Sequence, residues 1–293
     1  MTYRFVVNDH PGTYWYHGHS GLAKVGTRGI AGMLTVKPKE SSYNPHEDLY
    51  NAERELFLQD WSHEAPGDSY LKSMGSLHPP VGVSANAHYV ALFPWVSGLM
   101  NGKGIKGHSA TTSTVKYSVI NIDAAHENQN YTKSTDQLTT PLPTTGTRLR
   151  IVNGGEVYAL KISVDRHKLL IISTDGTDTD PLEVDAVVAH VGERFDAVLL
   201  PRELEDTYDY SKDNGNFWIR ATTLETDEGV QIPNENQILG ILRYEGSPDV
   251  VPQTHSYPAA EEVVLNCFDS YSRPSSIERL SFRWRIYPIR SSK

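Results

Sequence analysis

Two histidines separated by one residue, His17 and His19, are the side chains best placed to do chemistry in this 293-residue chain. They close the run Gly12-Thr13-Tyr14-Trp15-Tyr16-His17-Gly18-His19. On a strand, residues i and i+2 point to the same face. Two imidazoles on one face can hold a single metal ion, or two ions a few ångströms apart. Imidazole suits copper, zinc, iron and nickel. A bare His-x-His is more often a pair of surface or turn histidines, so the flanking residues have to decide.

The other histidines lack ligand spacing. His63, in Asp60-Trp61-Ser62-His63, and His167, in Asp165-Arg166-His167, read as structural, as do His10, His46, His78, His88, His108, His126, His190 and His255. Trp15 and Tyr14 read as packing or as a screen for the pair, ahead of any electron relay. Gly192-Glu193-Arg194-Phe195-Asp196 reads as a turn with internal charge pairing rather than a catalytic carboxylate pair. Asn101-Gly102-Lys103-Gly104 lacks the full spacing and the Ser/Thr of a phosphate loop, and reads as a hairpin turn.

The elements that must position these residues are strands. Runs rich in Val, Ile, Tyr, Phe and Thr alternate with Gly, Pro, Asn and Asp clusters. They are Leu34–Val36, Glu55–Gln59, Val115–Asn121, Arg148–Val152, Ala159–Val164, Leu169–Thr174, Ala186–His190, Asp196–Leu200, Phe217–Ala221 and Ile238–Tyr244. Their spacing predicts antiparallel Greek-key sandwiches. A short helix is compatible with the sequence near Tyr43–Glu55. Val6 and Val7 read as the end of a strand already in progress, and the expectation is a chain that begins inside a domain.

Composition narrows the function classes. Hydrophobic residues are 38% and charged residues 22%, and no apolar run approaches a membrane span. The net charge of −9, from 27 basic and 36 acidic side chains, repels nucleic-acid phosphates. Cys267 is the single cysteine, so an intrachain disulfide is impossible. Asn130-Tyr131-Thr132 fits the N-glycosylation pattern. The segment after about Asp269 changes to an Arg/Ser-rich composition, as in a basic tail or an atypical end to a longer coding sequence.

The flanks of the histidine pair carry a specific resemblance. "GTYWYHGH" followed by "RGIAGMLTV" is similar to the second copper-binding segment of the multicopper oxidases, the family of laccases and ascorbate oxidases. Arg28 and Gly29 stand where the family's usual pattern has an aspartate or similar residue. Further on, "LFLQDWSHE", "GLMNGKG", "FWIRA" and "ILRY" resemble successive strands and turns of that family's second domain. So does the long stretch from Arg148 to Leu199. The resemblance covers roughly residues 5 to 267.

It implies an all-β chain of cupredoxin-like Greek-key β-sandwiches, one partial and one near-complete. Residues 1–40 would be the C-terminal part of a first plastocyanin-like domain and 41–51 a linker. Residues 52–246 would be a second such domain, and 247–293 a linker and atypical tail. It further implies that His17 and His19 are type 3 copper ligands. The whole protein would be a secreted or exterior-facing oxidoreductase. It would pass electrons from a small-molecule donor (a phenol, diamine, ascorbate or metal ion) through copper to O2, with no nucleic-acid partner.

Three of the family's four histidine segments are absent, and Cys267 lacks the histidine neighbours of the type 1 ligand. The expectation is therefore an incomplete oxidase, inactive alone. The alternative is a non-catalytic cupredoxin-like module that binds a partner, or copper weakly. Glu156 falls one residue from the place where some laccases carry an acidic substrate contact.

Overall fold

In a computed structural model the described residues are 2, 4–7, 10–19, 30–39, 44–61, 97–105, 113–123, 146–156, 158–201, 214–223, 237–255, 263–266 and 287–288. They form fifteen strands and no α-helix. The all-β expectation holds. No helix among them is long and apolar enough to cross a membrane.

The strands make three sheets. β1 (Gly12–His17) and β2 (Ala31–Val36) form an antiparallel two-stranded sheet. A six-stranded sheet contains β3 (Ala52–Trp61), β4 (Ser97–Met100), β6 (Thr147–Asn153), β8 (Leu169–Thr174), β9 (Thr177–Val184) and β11 (Arg194–Leu199). Its order is β4-β3-β6-β11-β8-β9. A seven-stranded sheet contains β5 (Ser118–Ile122), β7 (Leu160–Val164), β10 (Ala186–Ala189), β12 (Asn216–Thr223), β13 (Gln237–Tyr244), β14 (Val263–Asn266) and β15 (Tyr287–Pro288). Its order is β15-β14-β10-β7-β12-β13-β5.

The two large sheets face each other across one core. Leu56, Leu58, Leu149, Ile151, Phe195, Ala197 and Leu199 from one sheet meet Ile120, Ile122, Ile162, Val187, Ile219 and Leu242 from the other. Alternation along each strand explains the membership: in β6, Leu149 and Ile151 turn inward while Arg148, Arg150 and Val152 turn outward.

The outward face of the six-stranded sheet is not left to water, because β6 and β8 are buried along their whole length. Strands buried on both faces need a cover. One part of it is the β1–β2 hairpin, lying over β3, β6 and β11. The other is the segment before β3: Leu49 and Tyr50 pack on Leu170, Ile172, Val198 and Leu200.

Some expectations need correction. Pairing is not wholly antiparallel: β3 runs parallel to β6, β13 to β5 and β10 to β14. Long connections allow this, because partners distant in sequence need no hairpin. Between Tyr43 and Glu55 there is only a 3-10 turn at Glu47–Leu49, and β3 is already running by Ala52. The Asn44 side chain accepts the His46 N–H and fixes a turn instead of a helix. Val115–Lys116, read as strand, belong to a second 3-10 turn before β5. Val6 and Val7 carry no strand and are exposed. The polar β9 and the short β4 were not anticipated. Cys267, Asn130, His63 and most of the Arg/Ser-rich tail lie outside the described residues.

Candidate metal centre

β1 and β2 pair in register from Gly12 opposite Val36 to His17 opposite Ala31. One further bond, from the Gly18 N–H to the Ile30 carbonyl at 3.1 Å, carries the ladder past the strand end. Near the histidine end, small residues on β2 (Gly32 and Ala31) stand opposite large ones on β1 (Tyr16 and His17). Gly32 sits opposite Tyr16, and a Cβ there would lie 2.6 Å from the tyrosine hydroxyl.

His17 and His19 both reach solvent at this end of the hairpin, with ring centroids 5.8 Å apart at an interplanar angle of 70°. His17 Nδ1 lies 3.0 Å from the Gly18 carbonyl oxygen. A carbonyl only accepts, so the contact needs the proton on Nδ1, and in the neutral ring that leaves the lone pair on Nε2 for a Lewis acid. The indole of Trp15 stacks on the His17 ring at 4.2 Å and 20°. The same indole lies against the sandwich, with the Phe57 ring 6.3 Å away and tilted by 48°. A Cβ on Gly192 would come within 3.7 Å of it.

The hairpin is tied down by a buried polar cluster. The Thr13 hydroxyl donates to Asp196 Oδ1 and accepts from Arg150 at 2.7 Å. Asp196 Oδ2 binds Arg148 at 2.6 Å. Arg150 also pairs with Glu53 at 2.6 Å, and Arg148 donates to the Tyr50 hydroxyl at 2.6 Å. Asp196 stands opposite Arg150 in the β11–β6 ladder, so the pairing is built into the sheet register. Arg194 adds a bond to the Thr13 carbonyl and lies over the Tyr14 ring.

None of these anchors was recognised from sequence. A charged residue at every second position of a strand looks the same whether its face meets water or another element. The expected internal pairing in Gly192–Asp196 holds only in part: the Arg194 charge acts on Glu193 and its guanidinium donates to the Gly192 carbonyl at 3.2 Å, but the close ion pairs go elsewhere. Arg194 binds Asp175 at 3.0 Å, Asp196 binds Arg148, and Glu193 accepts the His190 N–H.

Of the other histidines, His167 is structural. Its Nδ1 meets the Asp165 carbonyl at 2.7 Å and its Nε2 the Tyr244 hydroxyl at 2.8 Å, and it packs edge-on to Phe217. His46 is buried beneath the six-stranded sheet's outer cover, and burial lowers its pKa. His10 and His255 are exposed. No group of three or more His, Cys, Asp or Glu among the described residues is placed to hold a metal. The hairpin therefore presents the pair and no third ligand from these residues.

A separate acidic feature lies in the loop after β6. Asp60 accepts the backbone N–H groups of Glu156 at 2.8 Å and Tyr158 at 3.2 Å. The Glu156 carboxyl is half-buried beside it. Burial first, and then the Asp60 charge, pushes its pKa up to about 7. The Asn-Gly-Lys-Gly segment is a tight turn: Asn101 and Gly102 both have positive φ, and Met100 and Lys103 exchange two backbone bonds. That pattern is the primed turn that suits a hairpin.

Comparison with known proteins places this geometry. A multicopper oxidase family model matches residues 53–247, and a second, also described as multicopper oxidase, matches residues 1–41. Laccase-4 of Thanatephorus cucumeris is 26% identical over 254 residues, covering 86% of this chain and 40% of that protein. Laccase-1 of the same organism is 30% identical over 213 residues, covering 71% of this chain and 30% of its own length. The chain thus spans two fifths or less of these curated relatives. Among solved structures, the laccase of Botrytis aclada superposes with a TM-score of 0.53 at 22% identity, over 84% of this chain and 37% of that one. A multicopper oxidase that functions in iron import gives 0.52 at 20%, over 85% and 36%. The shared fold is the cupredoxin-like sandwich.

Proposed function

This chain belongs to the multicopper oxidase family, and from that premise we propose that it is the histidine-bearing hairpin and second sandwich of a laccase-type enzyme, with His17 and His19 as type 3 copper ligands. Copper oxidoreductase chemistry is the family's property. Residues 1–40 are the end of the first plastocyanin-like domain, 41–51 the linker and 52–246 the second domain in this reading. Residues 247–293 are a linker and tail. The whole protein is secreted or faces the cell exterior, and oxidises a small phenol-, diamine- or ascorbate-like donor while O2 is reduced to water.

The observation that carries the ligand assignment is the His17–His19 pair itself. Its two rings lie within edge contact, and the contact at Nδ1 leaves Nε2 of His17 as a lone-pair donor. Neutral imidazole nitrogens are a donor set that copper accepts in either oxidation state. When bound, copper would relay electrons from the donor to dioxygen. The chain's own contribution is to hold the two imidazoles at the end of a stiff ladder, and to seat that ladder on the sandwich through Thr13, Arg150 and Asp196. The sandwich is read as scaffold and wall rather than as a redox site.

The test is copper analysis on the purified chain beside oxygen uptake with a phenolic donor, repeated for His17→Ala and His19→Ala. The expected result is loosely held copper that both substitutions remove, with no oxygen uptake. Several tightly bound coppers with turnover would overturn the incomplete-set reading. Copper binding indifferent to both substitutions would overturn the ligand assignment.

A further inference from the structure

Alternation along β1 puts Thr13, Trp15 and His17 on one face, the face turned toward the sandwich. Each makes a different kind of contact there. Thr13 is locked into the buried Asp196–Arg150 cluster. Trp15 packs toward Phe57 and the Gly192 turn. His17 is exposed, and its largest described contact is the Trp15 ring stacked on it at 4.2 Å.

An exposed histidine at a strand end would otherwise sample several rotamers, and ligation would cost the entropy of choosing one. The stack confines one face of the imidazole, and the Gly18 carbonyl contact confines one edge. Neither of these two contacts takes up the Nε2 edge of the ring.

We propose that Trp15 is a positioning residue: it transmits the position of the second sandwich, through Phe57 and the Gly192 turn, to the orientation of the His17 imidazole. Its service to copper rests on the reading of His17 as a ligand; its ordering of the ring does not. Partners that orient a ligating histidine typically govern metal affinity by tenfold or more. Trp15 fills this role with a ring face where a carboxylate or carbonyl usually serves, and leaves the carbonyl of Gly18 to set the tautomer.

Two measurements on the full chain test this. The first is the ring Cε1–H signal of His17 in the metal-free protein, assigned with His17→Ala. An aromatic ring stacked face-on shifts that proton upfield. The shift should vanish in Trp15→Leu and persist in Trp15→Phe, which keeps a ring to stack. The second is Cu(II) affinity of the parent and both variants, with thermal melts to confirm folding. Trp15→Leu should bind copper about tenfold or more weakly, and Trp15→Phe should restore most of the loss.

A His17 signal unmoved by Trp15→Leu would overturn the proposal. So would unchanged copper affinity in Trp15→Leu when His17→Ala abolishes binding. Failure of the ligand reading looks different: His17→Ala leaves copper binding intact while the upfield shift still follows Trp15. In that event the indole orders the ring but no metal depends on it, and the claimed service to copper falls.

Discussion

Thr13 and Asp196, 183 residues apart in the chain, share a buried hydrogen bond that fastens the histidine hairpin to the sandwich. The hydroxyl is used twice, as donor to Asp196 and as acceptor from Arg150. That double use is why a small residue only 1% exposed can set the place of His17, four residues along the same strand.

Thr13→Val keeps the side-chain shape and removes the hydroxyl. Asp196 Oδ1 loses a donor and Arg150 an acceptor in a buried site. Leaving such groups unsatisfied costs about 1–3 kcal/mol. Urea denaturation should show a loss of that size, and limited proteolysis should cut the hairpin faster than the sandwich. Thr13→Ser should behave close to the parent. Equal protection of the hairpin in Thr13→Val would show that the strand does not depend on this bond.

Asp196→Ala should be more damaging. Arg148 and Arg150 are both buried and share Asp196, the buried carboxylate, at 2.6 and 3.6 Å; Glu53 also reaches Arg148, but only at 3.8 Å. Glu53 remains for Arg150 but is partly exposed. Removing one partner of a buried pair costs roughly 3–5 kcal/mol, because the opposite charge is left without compensation. A calorimetric melt would check it. A loss below that of Thr13→Val would mean that water or Glu53 takes over both guanidiniums.

The sandwich was legible in the sequence because its strands are apolar in blocks, as in Leu169–Thr174, where burial on both faces leaves little ambiguity. β9 was not, because Thr177–Val184 lies at the sheet edge, is polar along most of its length and buries only Val184 fully. The histidine pair was visible through its spacing and flanks. Its anchor was invisible, since Arg148, Arg150 and Asp196 alternate with core residues just as solvent-facing charges would. Phe57 gave no hint either: in Leu56-Phe57-Leu58 the sequence does not say that the middle residue faces another element, here Trp15.

Asn101 offers a test of the turn. It holds positive φ, accepts from the Phe57 N–H at 2.8 Å, and donates to the Glu55 carbonyl at 2.7 Å and to the Ser118 hydroxyl at 3.3 Å. It therefore bridges β3 of one sheet to β5 of the other. Asn101→Gly keeps the backbone conformation and loses the three bonds, whereas Asn101→Ala loses the bonds and strains the turn. Both should lower the urea midpoint, Ala by more, with the Gly variant losing about 2 kcal/mol on typical hydrogen-bond values. A Gly variant as stable as the parent would show that Asn101 is there for its φ alone.

Glu156 gives the pH dependence. An unfolded glutamate ionises near its ordinary 4.5, while burial and the neighbouring Asp60 charge hold the folded carboxyl to about 7. As pH rises through this window the unfolded chain releases its proton first and the folded chain retains it. The stability that the protonated carboxyl contributes is complete below the unfolded value, drains away as pH rises, and is gone above the folded one. Glu156→Gln has no proton to lose. Denaturant melts of parent and variant should therefore agree at about pH 4 and diverge toward about pH 8, with the variant the more stable. Asp60→Asn removes the second cause only, so it should narrow the window from its upper end without closing it. The backbone bonds that Asp60 accepts from Glu156 and Tyr158 remain available to the amide oxygen of Asn for one of the two partners. A difference between parent and Glu156→Gln that stays flat across this range would show that the carboxyl is hydrated in the folded chain and ionises as it does in the unfolded one.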